Sequence, residues 1–440
     1  MTGRRVPAGE HRRGWLVFVG AAALLVLLLL AASLVGRPSP ARGPAVGSSR
    51  QASGSYRRGV WLLLDADEQR HACTPTARHY RYIVVQWYAR HDRRCPLDRI
   101  RSANPDAKVL AYQNLGAMIR GPHTHHRPST CVTQEEAAAH DRASRRDSWH
   151  LHDPGGKVLA FRDEHAFLQP TNVGRASYQR ACARRLARIA ADGYDGVLAD
   201  DVNVGPGHGL GEGGGTPIAE YPTDAAYGEA MVQALRAIGA AAERRRLLVI
   251  PNVAADPGVP AQRARALALA RAGSGLFWEF WTRWNGTGPG IGGADWDASV
   301  TLAEAVQQLG KPFLANTYQG PGRGGAASEQ QYAAATFWVT WDGHQDSGWG
   351  YDVRDRPGAG FSEAWGPDLG VPLDPGRTPV GVGWQRRYAA GVAIVNPSPS
   401  RSQRFDLGAR YRQPDGSPAA TVVLPPLRGM VLVAGGRARR

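Results

Sequence analysis

From residue 59 onward, apolar runs of strand length recur at intervals filled by stretches of helical periodicity, and that alternation leaves few folds open. The runs fall at 59–64, 82–86, 108–112, 196–199, 247–251, 275–279, 312–316 and 336–340. Each is a near-continuous apolar block rather than a strict polar/apolar alternation, as expected of parallel strands covered on both faces. Segments 178–191, 223–243, 260–271, 299–309 and 328–335 read as the helical connectors. Eight such units over about 290 residues predict an α/β fold, a (β/α)8 TIM barrel rather than a doubly wound sheet. After Asp374 the pattern changes to short β-type runs at 380–383, 390–395, 402–407, 420–424 and 429–433, separated by Pro, Asn, Asp and Gly. These predict a small C-terminal antiparallel β-sandwich over 375–434, with the barrel at 57–374.

The amino terminus bears on the compartment. Arg4, Arg5, Arg12 and Arg13 lie in a basic segment, 1–14, ahead of an apolar run at 15–36 that is long enough to cross the hydrocarbon layer as a helix. The positive flank stays in the cytoplasm, so the rest of the chain is expected outside it, held by an uncleaved signal anchor or secreted. Residues 37–56, rich in Pro, Gly, Ser, Ala and Arg, read as a flexible linker. Four cysteines, Cys73, Cys95, Cys131 and Cys182, fit two disulfides in an exported chain. Three pairings are open, and neighbouring loops of the expected barrel favour 73 with 95 and 131 with 182. No cysteine pair has the spacing of a zinc finger.

The formal net charge of +15 invites a nucleic-acid reading. Most of the excess sits at the ends: residues 1–56 hold seven Arg against one Glu, and three Arg close the chain, which leaves +6 for 57–434. That is a mild excess for a domain of this size, so no nucleic-acid partner is expected.

Polar residues recur at the carboxyl ends of the expected strands: Asp65, Gln86, Asn114, Asp200, Asn252, Glu279, Asn316 and Asp342. In a barrel these ends share one face. Two stand out. The run 193–203 ends in adjacent carboxylates, Asp200 and Asp201, followed by Asn203, and Glu279 lies among Phe277, Trp278, Phe280 and Trp281. An acid and a carboxylate on different strands are the minimum set for cutting a glycosidic bond. Asp200 is assigned as nucleophile. Glu279, whose apolar flanks favour the protonated form, is assigned as general acid/base. Asp201 is expected to point elsewhere, because successive strand residues face opposite sides. Trp87, Tyr88, Trp281, Trp284, Tyr318, Trp341, Trp349 and Tyr351 follow strand ends, where flat rings could stack on sugar faces. The third connection, 116–177, is swollen into an insertion suited to binding or covering a substrate. It contains His123, His125 and His126, but neither metal nor cofactor is expected.

The segments Gly59-Val-Trp61, Val109-Leu-Ala-Tyr112, Trp149 with Asp153-Pro-Gly-Gly156, Asp195-Gly-Val-Leu-Ala-Asp-Asp201, Phe277-Trp-Glu279, Lys311-Pro-Phe-Leu-Ala-Asn316 and 338–343 resemble glycoside-hydrolase-like family 15. That is a group of barrel hydrolases distantly similar to the polygalactosaminidase and amylase-type enzymes. The similarity spans about 57–345, and the β-domain behind it resembles the one that follows the barrel in amylase-like enzymes. The resemblance implies a glycosidase led by the Asp of strand four and the Glu of strand six. The expectation is therefore an exported, retaining glycoside hydrolase acting on a polysaccharide and reaching the membrane through its N-terminal helix. A non-catalytic carbohydrate-binding or cell-envelope scaffold is the alternative, and a metal-dependent deacetylase using the histidine-rich loop is a third reading.

Overall fold

The computed structural model describes residues 58–64, 66–120, 129–144, 146–163, 165–283, 290–318, 326–343, 346–352 and 367–435. Segment 1–14, the apolar helix expected at 15–36 and the linker 37–56 lie outside the described residues. So do Asp65, His123, His125, His126 and Trp284. Among the described residues no helix is long and apolar enough to cross a membrane.

Eight parallel strands make the body: β1 Gly59–Leu63, β2 Tyr80–Gln86, β3 Lys108–Asn114, β4 Gly196–Asp200, β5 Leu248–Pro251, β6 Leu276–Trp278, β7 Phe313–Tyr318 and β8 Gly348–Asp352. Their order is β5-β4-β3-β2-β1-β8-β7-β6. The two outer strands meet where Asn252 bridges Phe277 in parallel and the Val253 amide donates to the Phe277 carbonyl at 3.3 Å, so the sheet curls into a barrel. Alternation sorts the side chains. Val60, Tyr82, Val84, Leu110, Leu198, Ile250, Phe277 and Leu314 form the inner core. Trp61, Ile83, Val109, Val197, Val249, Leu276 and Phe313, one residue along, pack outward with the helices. The same inward parity, carried toward the carboxyl ends, delivers Tyr112, Asp200, Asn252, Glu279, Asn316 and Tyr318 to the barrel mouth. On β8 the inward position is Gly350, where a Cβ would stand 2.3 Å from the Val60 carbonyl oxygen and 3.0 Å from Asn316 Oδ1.

The eighth strand corrects the sequence reading. Residues 336–340 are the last turns of the helix Ala326–Thr340. All five are buried, because this helix lies between the barrel and the C-terminal sheet: the Tyr388 hydroxyl donates to the Trp338 carbonyl, and the Val431 amide donates to Gln331 Oε1 at 3.3 Å. A helix apolar on every side looks like a buried strand over five residues. The true strand, Gly348–Asp352, has glycine at two of its three inward positions and aspartate at the third, and so shows no apolar run.

The C-terminal unit is also corrected. It comprises β9 Thr378–Val380, β10 Gly383–Tyr388, β11 Gly391–Asn396, β12 Gln403–Arg412, β13 Pro418–Leu424 and β14 Arg428–Ala434. These form one antiparallel sheet, ordered β9-β10-β11-β14-β12-β13, not a two-sheet sandwich. One face gathers Val392, Ile394, Phe405, Val422, Leu424 and Leu432. The other adds Ala393, Val395, Val431 and Tyr388 to the outer core of the barrel, so the helix Ala326–Thr340 takes the place of a second sheet.

Both disulfides pair as the loop positions suggested. Cys73–Cys95 ties the connection after β1 to the one after β2, and Cys131–Cys182 pins the insertion to the helix Ala176–Ala191. Each closes a loop whose entropy the unfolded chain would otherwise keep, a contribution of about 2–4 kcal/mol for a typical disulfide.

Candidate active site

Asp200 ends β4 and Glu279 follows β6, both on inward parity and both half-buried. Asn252, one residue beyond β5, stands between them. Its Nδ2 donates to Asp200 Oδ1 at 2.9 Å and to Glu279 Oε2 at 2.8 Å. Laid end to end these bonds bound the two oxygens within 5.7 Å of each other. At the ~120° fork of an amide NH2 group the separation is about 5 Å. A tyrosine serves each carboxylate from its far side: the Tyr112 hydroxyl donates to Asp200 Oδ2, and the Tyr318 hydroxyl to Glu279 Oε1. The Asp201 amide adds a third donor to Asp200 at 2.9 Å.

All of these donors are neutral, so the negative charges are solvated but not cancelled. Burial, then the charges of Asp201 and Glu279, push the Asp200 carboxyl up to about 7, against the bonds from Tyr112 and the Asp201 amide. Tyr112 is held protonated far into the alkaline range by its burial and by the same carboxylates, and it therefore remains a donor. The four apolar neighbours of Glu279 divide: Phe277 lies in the inner core and Phe280 beside Tyr318, with ring centroids 5.8 Å apart. Trp278 and Trp281 turn into the outer core.

Asp201 breaks the strand geometry. Its φ of 52° is left-handed, which an aspartate tolerates better than most residues, and the kink swings its carboxylate onto the rim of the mouth. There Asn114 Nδ2 donates to Oδ2 at 2.6 Å, and His208 Nε2 lies 3.1 Å from Oδ1. Gly116 makes room for the kink: a Cβ on it would stand 2.3 Å from the Asp201 carbonyl oxygen. Burial opposes the ionisation of Asp201, but the His208 bond and charge outweigh it and hold the carboxyl below its usual value.

Behind Asp201 the insertion supplies Asp163 and His165. His208 Nδ1 lies 2.9 Å from Asp163 Oδ2, and His165 Nδ1 lies 3.2 Å from Asp163 Oδ1. One atom from each of these three residues falls within 4.8 Å of the others, a spacing that would admit an ion. The nitrogens already sit at hydrogen-bond distance on the carboxylate, so protons satisfy the set.

The remaining expected residues divide. Asn316 lies inward on β7, buried, with its Nδ2 lacking a hydrogen-bond partner. Gln86 donates to the Leu64 carbonyl at 2.9 Å and accepts from the Ser129 hydroxyl, tying β1, β2 and the insertion together. Asn203 Oδ1 accepts from the Ala254 amide at 3.1 Å and joins the connections after β4 and β5. Four tryptophans offer no face to a ligand, one of them Trp349 of β8, buried in the outer core. Trp87 is packed in the outer core with Arg185 over its ring, and Trp281 is 1% exposed against Phe313. Trp341, 0% exposed, lies with Asp342 at the end of the helix Ala326–Thr340, where Arg58, just ahead of β1, covers its ring. Both therefore belong to the amino end of the barrel, a consequence of the misplaced eighth strand.

Sequence reasoning missed Tyr112, Asp163, His165 and His208. Tyr112 follows Leu110 by two on β3, and inward alternation identifies it. The other three sit in loops without periodicity. The insertion does carry one readable signal: Thr133-Gln-Glu-Glu136 is a reciprocal capping box that starts the helix Gln134–Ala143.

Comparison with known proteins bears on this arrangement. No curated protein matches the chain. Among solved structures it is similar to Eubacterium rectale Amy13B, at 10% identity and a TM-score of 0.51 over 87% of this chain and 96% of that one. That likeness shows the shared fold, a barrel with a β-sheet domain behind it. It is also similar to the glycoside hydrolase domain of PelA from Pseudomonas aeruginosa (13% identity, TM-score 0.41, 68% of this chain and 96% of that one). A third similar structure is Aspergillus fumigatus Ega3 in complex with galactosamine (14%, 0.36, 71% and 95%). The family model described as hypothetical glycosyl hydrolase family 15 matches residues 101–392, which starts later than the resemblance read from the motifs and runs on into the C-terminal sheet. The chain belongs to hypothetical glycosyl hydrolase family 15.

Proposed function

We propose that this protein is an exported, retaining glycosidase acting on a polysaccharide or oligosaccharide, with Asp200 as nucleophile and Glu279 as general acid/base. The observation that carries the reading is the Asn252 bridge. It brings the two carboxylates to within 5.7 Å, near the ~5–5.5 Å of retaining enzymes and short of the ~6.5–9.5 Å that leaves room for an inverting water.

In the first step Asp200 Oδ attacks the anomeric carbon while Glu279 gives its proton to the departing glycosidic oxygen. The bond to the leaving group breaks and a glycosyl–aspartate ester forms. In the second step Glu279, now ionised, takes a proton from water, the resulting hydroxide equivalent attacks the same carbon, and Asp200 leaves as the carboxylate. The first step needs one proton on the pair and no more, and the second restores it. The charge of Glu279, which helps raise the Asp200 carboxyl, supports that count. Tyr112 and Tyr318 orient the carboxylates, and Asn252 keeps their spacing.

Two disulfides fit an oxidising, extracytoplasmic setting, and attachment through the apolar segment 15–36 is part of the same proposal. Glycan panels assayed for new reducing ends identify the substrate, and NMR of the first-formed anomer reads the stereochemistry. Release of the inverted anomer would refute retention. Binding of glycans without any turnover would favour the scaffold reading.

A further inference from the structure

We propose that His208, held by Asp163 of the insertion, is a positioning residue that keeps Asp201 ionised and so maintains the single proton on the Asp200–Glu279 pair. The inference rests on that pair being the catalytic one.

His208 meets a carboxylate at each ring nitrogen, Asp163 at 2.9 Å from Nδ1 and Asp201 at 3.1 Å from Nε2. A neutral imidazole has one N–H and cannot donate to both; the imidazolium can. Neither carboxylate has reason to supply the missing proton. Asp163 also accepts from the His165 amide at 2.8 Å and faces His165 Nδ1, while Asp201 accepts from Asn114. Phe161 stacks on the His208 ring with centroids 4.0 Å apart, which fixes its plane.

The charged and titratable groups around His208 are Asp163 and His165 from the insertion and Asp201 from the end of β4. Around Asp201 stand His208, His165, Asp200 and Tyr112 of β3, with Tyr227 from the helix Asp224–Glu243 further off. Burial acts to lower the His208 value, but the two aspartates carry it up to about 10. The cation thus persists across the neutral range, and with it the anion on Asp201.

The backbone holds the same geometry independently of charge. The Arg162 amide donates to the His208 carbonyl at 2.9 Å, and His208 itself is left-handed at φ 51°. The loop after β4 and the insertion are clasped there, so the proton balance of the pair depends on the insertion being in place.

Titration of the full-length protein tests this without a substrate, using ¹⁵N-labelled histidine and ¹³C-carboxyl-labelled aspartate. Both His208 nitrogens should remain protonated to about pH 10. In His208→Gln, loss of the cation should move the Asp201 midpoint upward from its depressed value, by about one unit or more. In Asp163→Asn, which keeps the ring and its stack, the His208 midpoint should fall by about one unit or more. A His208 that becomes neutral below about pH 8, or an unmoved Asp201 midpoint in a folded His208→Gln protein, overturns the proposal. If His208→Gln does not fold, Asp163→Asn decides alone, and an unchanged His208 midpoint is the refuting result. Retained turnover in Asp200→Asn would instead sink the glycosidase reading and leave these titrations standing.

Discussion

The two ends of the barrel treat charge in opposite ways. At the amino end, where the C-terminal sheet docks, cations are matched. Arg377 binds Asp297 at 2.8 Å and Glu304 at 3.0 Å and lies over the Trp384 ring, and Arg387 forks onto Asp374 with a shortest contact of 2.6 Å. At the carboxyl end Asp200 and Glu279 face each other with only neutral donors between them, and His208 at the rim pairs with Asp201 instead. Matched charges join two parts of a fold. Unmatched like charges in a cleft store proton affinity, which is what acid/base chemistry needs and what stability alone would not select.

The most severe test of this contrast removes the unmatched acids. Asp200→Asn and Glu279→Gln should each lower turnover by about 10³-fold or more while the protein stays folded. The Asp200 change carries a second signature. Because its folded value is raised above the unfolded one, native stability is lost as pH rises from the ordinary carboxylate range through about 7. An uncharged Asn escapes that loss, so its melting temperature at pH 8 should exceed wild type by about 2–4 °C. A destabilised Asp200→Asn would mean that the site stores no such repulsion.

The opposite end should answer in the opposite currency. Arg377→Ala leaves Asp297 and Glu304 without their partner and uncovers Trp384, and should cost about 2 kcal/mol of stability in denaturant titration with kcat/KM unchanged for any active glycan. Loss of activity without loss of stability would erase the distinction between the two ends.

Gly116→Ala probes the boundary between fold and chemistry. The added methyl collides with the Asp201 backbone, so kcat/KM should drop by about 10-fold through displacement of the kink. Wild-type kinetics in that variant would show that the placement of Asp201 is immaterial.

The pH profile sharpens the account further. On the proposed mechanism the singly protonated pair is the active form, so kcat/KM should fall as pH rises past about 7, approaching tenfold per unit. Asp201→Asn removes one of the charges that raise Asp200 and should move that limb to lower pH, with a milder loss of rate than either acid mutant. A limb that moved upward would mean Asp201 does not act on the pair by its charge. The smallest expected effect is none: chelators should leave turnover intact, and replacing His123, His125 and His126 together should change substrate affinity at most. Chelator-sensitive activity restored by zinc would favour the metal-dependent reading.

Legibility followed the range of the interactions involved. Seven of the eight strands, the two disulfides and the placement of Asp200 and Glu279 at the ends of β4 and β6 were readable, because strand burial and parity are written in consecutive residues. The eighth strand was not. Its inward glycines carry no apolar signal, while a helix buried on all sides imitated a strand nearby, and with it Trp341 and Asp342 were sent to the wrong end of the barrel. Trp87 and Trp281 went astray because a tryptophan after a strand can face the outer core as readily as the cleft.

By itself, then, the sequence determined the barrel, its disulfide frame and the two strands that present acids, since each depends on local pattern or on loops already adjacent. Only the tertiary structure decided what those acids experience. Tyr112 meets Asp200 across 88 residues, Asn252 spans the gap to both carboxylates, and His208 reaches Asp163 across 45. The charge on a carboxylate is set by such neighbours and by its burial, and these exist only once the strands have closed into a ring and the insertion has folded down on it.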